Sequence, residues 1–481
     1  MNIINKLKGY KNLPETVKAS LWYTICNITT KGLALFSTPI FTRLLTKDQY
    51  GTFSIFYSWY NILMIFGTLN IFQNCYNKGL ITYKDDRESY TSSMLGLTTV
   101  LTLIMTAIYL IGMKFWTGVF ELSPLLMLTM FFFIITSSAK EFWAAKERFD
   151  YKYKKYVIIT IVTIVLSIVT GIIAVLATEY KAEARILTDV CSKAIFGLAI
   201  YVILMKEGKR FVNLECWKYA LVFTIPLIPH FLSTYVLNQA DRLMISKMTG
   251  TADAAVYSVA YTISTMMLLV INAINNSLIP YIYKTINGNE HVKDIKKYTR
   301  PLFALIMLLC MLTMCFAPEI IYIFAGREYA DAISIIPSIA ASLYFIFVYY
   351  MFSTVEYYYE KTGMIALASA VSTILNLILN YIFIGLYGYK AAGYTTLACY
   401  MVLAVFHYVF YRRILKEELP DIKHLYDMKM IMGCSVFILL FMLVMLFSYN
   451  WLAVRYGILL LLGAVVFVKR KDLIKALGSF K

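Results

Sequence analysis

The sequence predicts an all-α integral membrane protein of about fourteen transmembrane helices. Bulk composition, the length of the apolar runs and the placement of Lys and Arg lead to this class. Of 481 residues, 60% are hydrophobic and 15% charged, and the mean hydropathy is +0.67. Soluble domains carry about 25% charged and about 45–50% apolar residues. The apolar residues are spread along the whole chain. One soluble core could not take them all, so lipid is the fitting solvent.

A helix of about 20 residues, at 1.5 Å rise, crosses a ~30 Å hydrocarbon core. Runs meeting that length lie at 20–42, 50–71, 92–112, 122–140, 156–178, 186–205 and 218–238. They continue at 254–276, 301–318, 331–353, 363–386, 391–411, 430–448 and 451–468. Only a short turn around Asn450 separates the last two. The stretch before the first run is polar and holds Lys6, Lys8, Lys11 and Lys18. Run 20–42 is too long for a signal-peptide core and lacks a small-residue cleavage site, so it reads as an uncleaved span.

Fourteen spans put both termini on one side. That side holds 33 of the 45 basic residues, the opposite loops hold 10, and Lys31 and Lys193 lie within spans. The positive-inside bias makes both termini cytoplasmic. The net charge of +17 is then a topology signal and a contact for anionic lipid head groups, and nucleic acid is not an expected partner. The opposite loops, the longest near 238–253 and 319–330, are too short for the outer catalytic domain of a membrane glycosyltransferase or polymerase.

The eight cysteines are scattered, mostly within spans, and no CxxC or Cys/His spacing suggests a metal site. No ATPase-type phosphate loop, HExxH or nucleophile elbow is present, so neither an ATP-driven pump nor an enzyme is expected. A short internal repeat is visible. Arg43-Leu44 at one helix end precedes Phe53-Ser54, and Arg242-Leu243 precedes Tyr257-Ser258. Six spans separate the copies, an even number, which predicts two parallel halves. The expected division is 1–217 (spans 1–6), 218–429 (spans 7–12), and 430–481 (two further helices and a tail).

Lys31 is the sharpest single residue. It lies mid-span with Asn27 and Thr24 on its face. An ammonium at the bilayer centre costs at least ~2.5–3.5 kcal/mol, so it needs a hydrated cavity or a partner. It is a candidate site for an anionic group, or a buried structural charge. Asp189 and Lys193 are four apart, within ion-pair reach, which fits mutual neutralisation or a cation relay. Arg43 and the Asp241-Arg242 pair fall near the outer ends of their expected helices, as anchors or as ion-pairing gates.

Polar residues recur at helical spacing in four spans. They are Ser54, Ser58, Asn61 and Thr68, then His230, Thr234, Asn238 and Asp241. The other two stripes are Tyr261, Thr265, Asn272 and Asn275, and Ser369, Thr373, Asn376 and Asn380. Such stripes serve helix–helix hydrogen bonding or line a hydrated cavity whose amides and hydroxyls suit sugars. Pro39, Pro226 and Pro229 introduce bends of the kind transporters hinge on.

The run Pro39-Ile-Phe-Thr-Arg43-Leu-Leu with Tyr50-Gly51, the triplet Glu147-Arg148-Phe149, and Asp241-Arg242-Leu-Met-Ile245 with Val256-Tyr257-Ser258-Val-Ala-Tyr261 resemble the Wzx-type polysaccharide flippases. These O-antigen and capsule-unit transporters belong to the multidrug/oligosaccharidyl-lipid/polysaccharide exporter superfamily. The resemblance implies two six-helix bundles around a central, often cationic, cavity, plus two C-terminal helices. It also implies export of undecaprenyl-diphosphate-linked oligosaccharide across the bacterial inner membrane by alternating access, with other polysaccharide assembly proteins as partners. Lys31 matches one cationic position, but no dense row of arginines lies within the spans. No cofactor is expected, and coupling to H⁺ or Na⁺ is left open. The rival is a multidrug or metabolite/cation antiporter of the same fold, with Asp189 as its main acidic candidate.

Overall fold

The structure is a computed structural model and describes residues 14–287 and 294–478. Among the described residues there are nineteen α-helices and no strand. The chain divides into two compact units, Met1–Gln239 and Ala240–Lys481.

The first unit contains α1 (Glu15–Leu44), α2 (Lys47–Thr68), α3 (Tyr76–Thr82), α4 (Arg87–Ile111) and α5 (Met113–Phe120). These are followed by α6 (Pro124–Phe149), α7 (Lys154–Ala177), α8 (Lys181–Gly208) and α9 (Leu214–Thr224), and α10 (Ile228–Thr249) begins in it. Local sequence sets the starts. Thr46 and Gln49 form a reciprocal capping box at α2, with N···O distances of 3.3 and 3.0 Å. Asp86, Ser123 and Asn213 cap α4, α6 and α9, and Pro124 occupies the first turn of α6. Helix α8 packs on α4, α6 and α7. Small residues permit this. A Cβ at Gly197 would lie 2.5 Å from the Thr136 carbonyl oxygen, and one at Gly208 would overlap the Glu88 carbonyl oxygen. In lipid, close backbone approach of this kind is a main source of helix association.

The second unit takes the end of α10, then α11 (Thr251–Ser264), α12 (Met267–Asn287), α13 (Asp294–Cys315), α14 (Ala317–Phe324) and a 3₁₀ turn, Arg327–Ser334. It continues with α15 (Ile336–Tyr358), α16 (Thr362–Tyr387), α17 (Ala391–Glu418), α18 (Met428–Ser448) and α19 (Leu452–Gly478). Helix α15 is the centre of this unit, 89% buried over its apolar stretch, against 28% for α18. Helices α13, α17 and α18 pack on α15. The turn into α18 is tied down at Asp427, which caps Met430 N–H (3.2 Å) and accepts from the Arg300 guanidinium (2.6 Å). Burial opposes ionisation of Asp427, but these donors outweigh it and hold its carboxyl below the usual range.

All fourteen expected apolar runs are helical over most of their length. Among the described residues, ten helical segments are long and apolar enough to cross a membrane, or eleven counting one bent pair. Helices α1 and α2 fall short because Asn27, Lys31, Asp48 and Asn61 dilute their apolar character. The bent pair, Leu214–Leu227 with Phe231–Thr249, turns by 56° around Pro226 and Pro229. The expected span at 254–276 lies within one apolar helical segment, Thr251–Asn287, interrupted only at Thr265–Met266 between α11 and α12.

Candidate functional site

In the first unit the polar chemistry gathers on α8. Arg185, Asp189 and Lys193 recur every four residues and so share one face. Lys193 Nζ lies 2.6 Å from Asp189 Oδ2, and Arg185 Nη1 lies 3.6 Å from Oδ1. Ser167 of α7 donates its hydroxyl to the same carboxylate. Arg185 is buried, with its guanidinium 3.9 Å from the ring centre of Phe41 on α1 and 5.1 Å from that of Phe53 on α2. It also donates to the Ser167 carbonyl at 3.3 Å. Lys193, 29% exposed, donates to Tyr57 Oη at 3.2 Å and sits over the Tyr57 and Phe133 rings. Two cations thus share one carboxylate, and aromatic faces take part of the excess positive charge.

Lys31 and Asn27 are exposed on α1, and among the described residues no ion pair holds Lys31. Arg43, at the end of α1, is exposed and donates to the Pro39 carbonyl at 2.9 Å. Asn61 is half-buried on α2. On α10, Thr234 is exposed and Asn238 donates to its carbonyl at 2.7 Å. The side chain of His230 lies outside the described residues.

In the second unit Asp241 is buried, and its position corrects an expectation. Helix α10 runs on to Thr249, so Asp241 lies eight residues inside the helix rather than at its end. Its carboxylate accepts from Tyr257 Oη (2.5 Å), Asn380 Nδ2 (2.6 Å) and Thr396 Oγ1 (2.7 Å), brought by α11, α16 and α17. Asn380 also donates to Asn376 Oδ1 at 3.2 Å and accepts from Thr395 Oγ1. All the donors are neutral, so the charge is hydrogen-bonded without being cancelled. Arg242, next in sequence, points elsewhere and stacks 4.6 Å over the Tyr261 ring. Asn272 is exposed on α12.

Three features of this kind escape a sequence reading. Arg185 is one. Another is Glu356 of α15 with His407 of α17, both fully buried, Nδ1 to Oε1 at 2.8 Å. The third is Glu319 of α14 with Arg455 of α19, a two-pronged contact at 2.6 and 2.5 Å, with Tyr456 Oη adding 2.8 Å. Burial opposes the Glu319 charge, but Arg455 and Tyr456 outweigh it and lower its pKa. Among the described residues no group of His, Cys, Asp and Glu could hold a metal ion.

The family model "Polysaccharide biosynthesis protein" matches residues 16–286, more than half of the chain. The chain belongs to the polysaccharide biosynthesis protein family. This is a transporter family of the MOP superfamily. A second model, MatE, matches residues 226–382. A relative in Haemophilus influenzae, "Lsg locus putative protein 1", is 23% identical over 383 residues, 75% of this chain and 89% of that one. In solved structures, the family member resembles an inward closed form of the lipid II flippase MurJ, with TM-score 0.67 at 13% identity over 94% of this chain and 99% of that one. It also resembles an inward-facing multidrug resistance MATE transporter, with TM-score 0.62 at 15% identity over 81% and 96%. These likenesses establish a multi-pass membrane fold shared by flippases and drug exporters.

Proposed function

We propose that this chain moves polyprenyl-diphosphate-linked oligosaccharide units from the cytoplasmic to the outer leaflet of a bacterial inner membrane. The observation that carries this is the polysaccharide biosynthesis match over 16–286 on a chain whose fold resembles a lipid II flippase along 94% of its length. That structure is of a lipid II flippase, and a lipid-linked cargo is carried over to this chain as part of the proposal.

In this reading the chain crosses fourteen times with both termini in the cytoplasm. Bundles 1–217 and 218–429 enclose a central cavity, and 430–481 is accessory. Lys31 neutralises diphosphate charge, while Asn27, Asn61, His230, Thr234, Asn238, Asn272 and Asn376 replace sugar hydration. Arg43 closes the outer mouth, and Asp189 with Lys193 holds a charge pair beside the path. Alternating access then requires cargo to prefer different conformers before and after transit. No catalytic group is assigned.

One observation favours the antiporter reading as a second choice. The MatE match covers the segment that supplies Asp241, a buried carboxylate among neutral donors, where H⁺ or Na⁺ could reside. The same residue would serve an ion-driven flippase.

Reconstitution in liposomes with lipid-linked oligosaccharides tests the proposal by following head-group accessibility. Protein-dependent translocation is expected. Substitution Lys31→Ala should abolish it and Lys31→Arg should retain part. Absence of translocation across a panel of glycans, together with export of cationic drugs, would replace the flippase reading by the antiporter.

A further inference from the structure

At one end of the first unit, where α6 turns into α7, a groove of about 800 Å³ opens between α6, α7 and α8. Its lining holds four lysines, Lys146, Lys152, Lys154 and Lys155, and four carboxylates, Glu15, Glu147, Asp150 and Glu207. The charges balance. Its deeper wall is apolar, formed by Ile159 of α7 and Ile200, Ile203 and Leu204 of α8. A neighbouring groove of about 430 Å³ shares Glu15, Tyr153 and Lys154 and is walled by Trp22, Val157 and Ile158.

The turn is held open in a defined shape. Tyr23 of α1 donates to the Lys152 carbonyl at 2.9 Å, and Trp22 stacks on Tyr153 at 6.2 Å. Tyr151 adopts a left-handed backbone, φ +57°, and is 52% exposed. An aromatic residue is rarely found there and pays conformational energy for it. Some of the charges are already spoken for. Lys146 lies 3.2 Å from Glu88 and 3.8 Å from Glu207, and Lys152 lies 3.0 Å from Asp150. Lys154, Lys155 and Glu147 form no ion pair with the described residues. Glu15 pairs with Lys18 of α1 at 3.0 Å, so two cations and one anion remain beside an apolar wall.

We infer that this groove binds a phospholipid whose head carries both a phosphate and a primary ammonium, that is, an ethanolamine head group. Lys154 and Lys155 take the phosphate. Glu147 takes the ammonium, which has three N–H groups to donate. A choline head has no N–H to donate, and a glycerol head has no positive charge to offer Glu147. The acyl chains run along Ile159, Ile200 and Ile203. The site is independent of what the chain transports.

The test uses the purified full-length chain in detergent, with phosphatidylethanolamine, phosphatidylcholine and phosphatidylglycerol of identical acyl chains, read by native mass spectrometry. Ethanolamine lipid should bind at least about fivefold tighter than either competitor, the ratio expected of one additional charged hydrogen bond worth about 1 kcal/mol. Glu147→Gln should bring ethanolamine down to the choline level. Lys154→Gln with Lys155→Gln should weaken all three lipids together. Stepwise N-methylation of the head group gives the same readout without any variant, and affinity should fall as N–H groups are removed. Preference for the glycerol lipid, equal binding of all three, or indifference to N-methylation would each overturn the inference.

Discussion

Replacing Asp189 by Asn removes one negative charge and little volume, and leaves Arg185 and Lys193 facing each other. Their distances to the carboxylate, 3.6 and 2.6 Å, put the two cations no more than about 8 Å apart. At an effective dielectric constant near 20 that separation corresponds to about 2 kcal/mol of repulsion. Arg185 also loses the anion that justified its burial, and removing one member of a buried ion pair costs about 3–5 kcal/mol. Lys193 is partly exposed and regains some hydration, so about 3 kcal/mol is the expected loss for the unit. For a cooperative unit of this size each kcal/mol moves the midpoint by about 2–4 °C, giving a fall of about 6–12 °C. Differential scanning fluorimetry in detergent measures it. The double substitution Asp189→Asn with Arg185→Gln removes the stranded cation as well and should recover roughly half of the loss. A single variant that melts like the parent, or a double variant no more stable than the single, would refute this account of the network.

Three further outcomes are expected. Asp241→Asn should flatten any dependence of transport on pH or Na⁺, measured in proteoliposomes; an unchanged dependence removes Asp241 from the coupling step. Glu319 has a folded pKa below its unfolded value, so its contact with Arg455 stabilises fully above about pH 4.3 and is lost as pH falls through the lowered folded value. Melting temperature followed from neutral to acid pH should show that loss in the parent and not in Arg455→Gln. Gly96→Ala places a Cβ on the Phe211 carbonyl oxygen and should cost about 1–3 kcal/mol, whereas Gly32→Ala meets nothing within 4 Å and should not destabilise. Thermal midpoints of the two variants decide this.

The helical segments were legible because hydrophobic length is imposed by the bilayer and is written residue by residue. What hydropathy reads poorly is where a helix stops. Hydropathy ends run 218–238 at the polar residues that follow it, yet α10 continues to Thr249, where Asp241 finds partners in Tyr257, Asn380 and Thr396. Those partners are 16, 139 and 155 residues away in sequence. Nothing local to Asp241 announces them. The same holds for Glu356 and His407, 51 residues apart, each unremarkable alone. The bend at Pro226 and Pro229 is the opposite case, since proline carries its own local consequence.

Arg185 shows most clearly what the sequence leaves unsaid. A span drawn from 186 to 205 assigns it to a loop, because a charge next to an apolar run marks an edge. The helix instead begins at Lys181, so the same residue is carried inside. Its burial depends on two residues from other helices. Gly171 of α7 leaves the space, since a Cβ there would lie 2.8 Å from Arg185 Nη1 and 3.0 Å from the Phe41 ring. Phe41 of α1 offers its face at 3.9 Å. Spacing on one helix makes the contact between Asp189 and Lys193 foreseeable, because four residues fix it geometrically. The third charge changes the chemistry of that pair, turning a neutral couple into a net cation, and it does so through space cleared by a glycine fourteen positions away. Local spacing shows which charges on α8 can meet, and only the packing of α1 and α7 shows the sign they leave behind.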